Sequence, residues 1–160
     1  MLDGFTRRAT MCKDVIESSA MLLCFIPSAT VLHLAYVALH GSSVLIVEDD
    51  PDLRHLFRIS LALAGFQVRE AADGYQALAA LEDQTPNVVV LDLGLPRVSG
   101  FTVLEEIEAR EDMRGLAVVV VTGLNVSEER DVMLLRKPVD PPALVGAVRR
   151  ALRRSAAAAT

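Results

Sequence analysis

After Cys24 the chain has no cysteine; Cys12 and Cys24 are the only two. A disulfide framework is thereby excluded downstream, and the pattern fits a reducing compartment. No pair of cysteines and histidines has zinc spacing. Excess positive charge is also missing. The net charge is -5 and the pI is about 5.2, so bulk attraction to nucleic acid is not indicated. There is no internal repeat. Long uncharged apolar stretches are scarce, and the exception is residues 20–39. A length of 160 residues suits one domain, or one domain with an appendage, and suffices for a sizeable core.

Residues 20–39 have the length of a membrane span. Pro27, Ser28, Thr30 and His33 weaken that reading. Arg7, Arg8 and Lys13 precede the run, and the next lysine or arginine is Arg54. The positive-inside rule would then place residues 43 onward outside the cell, whereas the chemistry argued below needs the cytosol. The same basic residues could open a signal peptide, but no small-x-small cleavage site stands out. The extension 1–42 therefore keeps several readings: upstream sequence from a misplaced start, a membrane helix, or a packing helix. The chain divides near Gly41-Ser42-Ser43.

Beyond that point short apolar runs alternate with amphipathic stretches. Ser43 to Val47 reads as a buried strand, stopped by Glu48-Asp49-Asp50-Pro51. Asp50 suits a helix cap with Pro51 at the first position. Leu53, Leu56, Phe57, Ser60, Leu61 and Ala64 repeat at helical spacing until Gly65. Phe66 to Ala71 is a weaker strand, Asp73-Gly74 a turn, and Tyr75 to Leu81 a helix. Val88 to Leu91 is wholly apolar and runs into Asp92. Val98 to Ala109 reads as a helix with Phe101, Leu104 and Ile107 on one stripe. Leu116 to Val121 and Val132 to Leu135 are further strands. Pro141 to Arg154 closes as a helix, with its arginines near the C-terminal end and a flexible tail over 155–160.

Apolar strands alternating with helices imply an α/β fold, a parallel sheet covered on both faces. The expected architecture is a doubly wound, five-stranded, flavodoxin-like sheet in order 2-1-3-4-5. Sites in such sheets form at the carboxyl ends of the strands, where the order switches between strands 1 and 3. The polar residues that end the apolar strands are Glu48-Asp49, Asp92, Thr122 and Lys137-Pro138. Acids gathered this closely need a cation among them. Oxygen donors alone favour a hard divalent ion such as Mg2+, and the lysine adds positive charge for an anion. A metal, a lysine and a carboxylate nucleophile together point to phosphoryl transfer to an aspartate.

The pieces VLIVEDDPDLR, VVVLDLGLPRVSG, VVVVTG and LLRKPVD stand in one order along the chain. With them, residues 43 to about 154 resemble the receiver domain of two-component response regulators, the CheY-like family. The resemblance implies that Asp92 is the phospho-acceptor, modified by a sensor histidine kinase or phosphotransfer protein. It implies Mg2+ bound by Asp49, Glu48, Asp92 and the backbone carbonyl of Gly94. Thr122 would hydrogen-bond a phosphoryl oxygen, and Lys137 would pair with Asp92 and then with the phosphoryl group. Gly123 would leave that group accessible, and the Lys137-Pro138 bond would be cis. Such a domain catalyses only its own phosphorylation and dephosphorylation, and it works in the cytoplasm.

Two departures accompany the resemblance. Residues 123–131 are few and polar for a parallel crossover, so the fourth helix, between strands 4 and 5, is expected to be stunted or absent. The family commonly carries an aromatic three residues before the lysine; here it is Leu134. With the sequence ending at Thr160, the expectation is a stand-alone receiver with DNA binding excluded and output through an unknown protein partner. Two other functions remain in comparison. An aspartate-nucleophile phosphatase of the haloacid-dehalogenase kind needs a motif that Asp50-Pro51-Asp52-Leu53-Arg54 does not complete. A membrane-tethered, receiver-like binding module would not need the intact acid set. His33, His40 and His55 receive no role.

Overall fold

The structure, a computed structural model, describes residues 41–125 and 132–158. Strands β1 (Ser43–Val47), β2 (Gln67–Ala71), β3 (Val88–Leu91), β4 (Ala117–Thr122) and β5 (Met133–Arg136) form one sheet in the order β2-β1-β3-β4-β5. Every neighbouring pair is parallel. Helices α1 (Pro51–Leu63), α2 (Gly74–Asp83) and α3 (Gly100–Ala109) follow the first three strands, a single 3-10 turn spans Glu111–Met113, and α4 (Pro141–Ala158) closes the chain. This is the expected flavodoxin-like order.

Strand side chains alternate between faces, and the two cores show it. Val44 and Ile46 of β1 join Phe57 and Leu61 of α1 and Leu144 and Val148 of α4. Leu45 and Val47 join Ala77 and Leu81 of α2 and Leu104 and Ile107 of α3. A strand covered on both faces must be apolar at every position, and all of β3 is buried. Each such side chain contributes about 1.5–3 kcal/mol by leaving water. On α1 the burial is carried by Phe57 and Leu61. Leu56, which belongs to the same helical repeat in the sequence, is 43% exposed; it sits about 100° around the helix from Phe57.

Helix starts follow local chemistry. The Asp50 carboxylate accepts from the Asp52 and Leu53 amides, both at 2.9 Å, with Pro51 next in line. Asp73 caps α2 through the Gln76 amide at 2.9 Å, more than the turn its Asp-Gly pair suggests. Ser99 caps α3 through Thr102 at 3.2 Å, so that helix begins at Gly100 rather than Val98.

The C-terminal helix differs from expectation. It runs on to Ala158, so residues 155–158 are helical and not a flexible tail. Alanine has the highest intrinsic helix propensity, and the Ser155 hydroxyl donates to the Gly115 carbonyl. Between β4 and β5, residues 123–125 and Val132 are non-helical. The remainder of the proposed stunted helix, 126–131, lies outside the described residues. So do residues 1–40, which include the apolar stretch 20–39. Among the described residues no helix is long and apolar enough to cross a membrane.

Candidate phospho-acceptor site

Backbone bonds just past the strand ends draw the polar residues together. Glu48 donates its amide to Ala71 of β2 at 3.2 Å, Asp92 to Val47 of β1 at 2.9 Å, and Lys137 to Thr122 of β4 at 3.0 Å. The Lys137-Pro138 peptide is cis. The Lys137 Nζ donates to Asp92 Oδ2 at 2.7 Å and to Glu48 Oε1 at 2.9 Å. Its contact with Glu48 Oε2 is 2.8 Å. The Glu48 side chain is 1% exposed, that of Asp92 8%, and that of Lys137 23%. Buried charges of this kind persist only when paired and hydrogen-bonded, and each here is.

The other Asp92 oxygen, Oδ1, accepts from the Gly94 amide at 2.8 Å. Asp49 is exposed at the mouth. Glu48, Asp49 and Asp92 offer oxygens that all lie within 4.8 Å of one another. Three carboxylates thus face one ammonium, so cationic charge is in deficit. An oxygen-only donor set suits a hard divalent ion, and the residues present therefore fit Mg2+. The chemistry of the charges agrees. Burial strips water from Glu48 and raises its pKa, against the opposing pull of Lys137. Burial lowers the affinity of Lys137 for its proton, but hydrogen bonds to Asp92 and Glu48 outweigh this and raise its pKa above the usual lysine value.

Thr122 is fully buried, and its Oγ1 accepts from the Leu124 amide at 3.1 Å. That leaves the hydroxyl proton available as a donor. An added Cβ at Gly123 would meet nothing within 4 Å, so packing does not demand glycine there. Gly100 is different. A Cβ on it would lie 2.0 Å from the Asp92 carbonyl oxygen and 2.6 Å from Leu93 Cα. Leu134, in the place of the family's usual aromatic, packs partly buried against the α2–α3 core.

Two arginines at the site escape a reading by spacing alone. Arg54 curls back from α1 and donates to the carbonyls of Glu48 at 2.7 Å and Asp49 at 3.2 Å. Its Nε lies 3.6 Å from Glu70 of β2. The position of Arg54 in the first turn of α1 is the signal that could have revealed it. Arg97, in the loop after Asp92, pairs with the buried carboxylate of Asp73. Residues so far apart in sequence give no local sign of meeting.

A doubly wound parallel sheet with clustered acids and a paired lysine at its switch point defines the class of domain. Residues 44–149 match the family model of the response regulator receiver domain, and the chain belongs to that family. The DNA-binding dual master transcriptional regulator RpaA of Synechocystis sp. is 33% identical over 119 residues, which cover 70% of this chain and 49% of RpaA. Among solved structures, NtrX of Brucella abortus is 31% identical with a TM-score of 0.66, covering 72% of this chain and 28% of its own. The chemotaxis response regulator CheY4 of Vibrio cholerae is 25% identical with a TM-score of 0.64, covering 69% of this chain and 98% of its own. Aspartate phosphorylation and Mg2+ are typical of the family, whose members are signalling domains that receive phosphoryl groups from histidine kinases.

One expectation is overturned. The chain spans about half the length of the curated relatives it matches, 49% of RpaA and 51% of the transcriptional regulatory protein GltR of Pseudomonas aeruginosa. RpaA is DNA-binding by name. A stand-alone receiver with DNA binding and a nucleic-acid partner excluded does not follow. The exclusion rested on the end of the sequence, which carries no conclusion about an output domain.

Proposed function

We propose that Asp92 accepts a phosphoryl group from the phosphohistidine of a sensor kinase or phosphotransfer protein. The observation that carries this reading is the Asp92 carboxylate itself. It stands at the end of a buried strand, held through one oxygen by Lys137 and through the other by Gly94, beside two further acids. Glu48, Asp49, Asp92 and the Gly94 carbonyl would hold Mg2+, which when bound neutralises charge on the phosphoryl oxygens.

In the step, an Asp92 oxygen attacks phosphorus. The O–P bond forms, the N–P bond breaks, and the electron pair leaves on the imidazole nitrogen. Lys137 follows the charge from Asp92 Oδ2 to a phosphoryl oxygen, and the Thr122 hydroxyl donates to another. Thr122 holds the Leu124 amide, so its movement would be felt at the start of the β4–β5 crossover. Phosphohistidine is supplied where kinases meet ATP, which supports a cytoplasmic location for the domain. The names of the relatives support an output in transcription control.

Incubation of the protein with Mg2+ and acetyl phosphate, followed by intact mass measurement, tests the proposal. The wild type should gain a single phosphoryl group, and Asp92→Asn or chelation of the metal should prevent it. An unmodified wild type would overturn the reading, and release of many phosphate equivalents would favour a phosphatase.

A further inference from the structure

The loop from Asp92 to Ser99 carries both the acceptor and Gly94. Its first residues are tied by the Gly94 amide on Asp92 Oδ1. Its far end is tied by Gly100, whose Cα lies so close to the Asp92 carbonyl that no Cβ fits between them. The middle of the loop is held differently. Arg97 sits at φ 68°, a left-handed conformation that side chains other than glycine rarely adopt. Its guanidinium pairs with Asp73, whose side chain is 8% exposed while that of Arg97 is 65% exposed. Next to it, Val98 lies against Gly74, where a Cβ would come within 2.6 Å of the Val98 carbonyl oxygen.

Asp73 divides its two oxygens between two tasks. Oδ1 caps α2 through the Gln76 amide, and Oδ2 takes Arg97. The cap alone needs only one oxygen. The second is directed out of the helix at the loop that holds Gly94. Arg54 holds the other acid-bearing loop, by the carbonyls of Glu48 and Asp49 and with Glu70 behind it.

We propose that the Asp73–Arg97 ion pair is a positioning device for the metal and acceptor site. Asp73 acts through Arg97 to hold that loop in a left-handed turn, and so keeps the Gly94 carbonyl in place to receive Mg2+. The inference rests on the reading of Asp92 and Gly94 given above. Neither Asp73 nor Arg97 touches the metal or the phosphoryl group. Their effect is on where Gly94 stands before the ion arrives.

The test uses the full chain with Arg97→Ala, Arg97→Gly, Asp73→Asn and the double variant Asp73→Asn/Arg97→Ala. Asparagine keeps an acceptor for the α2 cap and removes the charge. Glycine accepts the positive φ and removes the guanidinium. Three quantities are measured: hydrogen exchange of the Gly94 amide without metal, the Kd for Mg2+, and the rate of Asp92 phosphorylation at saturating Mg2+. Each single variant should exchange Gly94 faster and raise the Kd about tenfold, as the loss of an outer partner of a metal ligand does. The rate at saturating Mg2+ should return to the wild-type value, and the double variant should be no worse than either single one. Unchanged Gly94 exchange and Kd in Arg97→Ala and Asp73→Asn would overturn the proposal. So would an Arg97→Gly protein equal to wild type, since backbone strain alone would then account for Arg97→Ala. A wild type that binds no Mg2+ would instead overturn the functional reading, while Gly94 exchange still decides whether the pair holds the loop.

Discussion

The two flanks of β3 hold their site residues by different means. On the β1–β2 side the acids are braced by side chains: Arg54 grips the Glu48 and Asp49 carbonyls, Arg54 and Arg58 both reach Glu70, and Arg97 reaches Asp73. On the β4–β5 side, among the described residues, the ties stay within the flank: the Arg136 guanidinium donates to the Leu124 carbonyl at 2.5 Å and to Asn125 Oδ1 at 3.4 Å. Lys137 donates its backbone amide to Thr122, Leu124 donates to the Thr122 hydroxyl, and β5 is half-buried at Met133, Leu134 and Leu135 and exposed at Arg136. The contrast separates two demands. Acceptor chemistry needs carboxylates already in position, whereas a response to phosphorylation needs an element of low local stability that can take a second arrangement. Lys137 joins the flanks, anchored by its backbone on the β4–β5 side and bonded to Glu48 and Asp92 on the other.

Breaking that link should have the largest effect. Lys137→Ala leaves the buried Glu48 and Asp92 carboxylates without their cation, which should cost about 3 kcal/mol at neutral pH. Urea unfolding with and without Mg2+ checks this. Added Mg2+ should restore more stability to the variant than it gives the wild type. Next in size is Gly100→Ala, which drives a methyl group into the backbone of Asp92. Overpacking of this kind costs about 1–3 kcal/mol, and the variant should bind Mg2+ more weakly as the acceptor shifts.

A pH series sharpens the comparison further. The folded protein holds the Glu48 proton more tightly than the unfolded chain does, because burial raises its pKa. Its contribution to the stability of the metal-free protein is therefore fully present below the ordinary carboxyl pKa. It is lost as pH rises through the raised value. Mg2+ binding runs the other way, since the proton must leave first. Affinity for Mg2+ should fall as pH drops through that raised value, and Glu48→Gln should flatten the profile in a Mg2+ titration. The smallest effect belongs to Glu70→Gln. Glu70 is partly exposed behind Arg54, and such pairs contribute about 0.2–1 kcal/mol. A double-mutant cycle with Arg54 should find a coupling in that range.

What the sequence shows and hides divides along the same physical lines. The strands were legible because two-sided burial forces unbroken apolar runs, as in Val88 to Leu91. The site's acids, Thr122 and Lys137 were legible because each polar residue ends such a run, and strand ends in this topology share one edge. The Asp50 cap was legible because its partners are two and three residues away. Arg97 and Asp73 were not, because their meeting depends on how the loop after β3 lies against α2. The end of α4 was misjudged because an alanine-rich stretch with no apolar face gives no pattern, although it is a strong helix former. DNA binding could not be excluded from where the sequence stops, and the length of its relatives shows why.

The central claim is that Asp92 is the residue modified. The most direct measurement treats the protein with acetyl phosphate and Mg2+, reduces it with borohydride, and maps the peptides by mass spectrometry. An acyl phosphate on a carboxylate is reduced to the corresponding alcohol, which marks the acceptor covalently. The account predicts the reduced residue at position 92 and nowhere else. Reduction at Asp49, Asp50 or another carboxylate, with residue 92 intact, would contradict it.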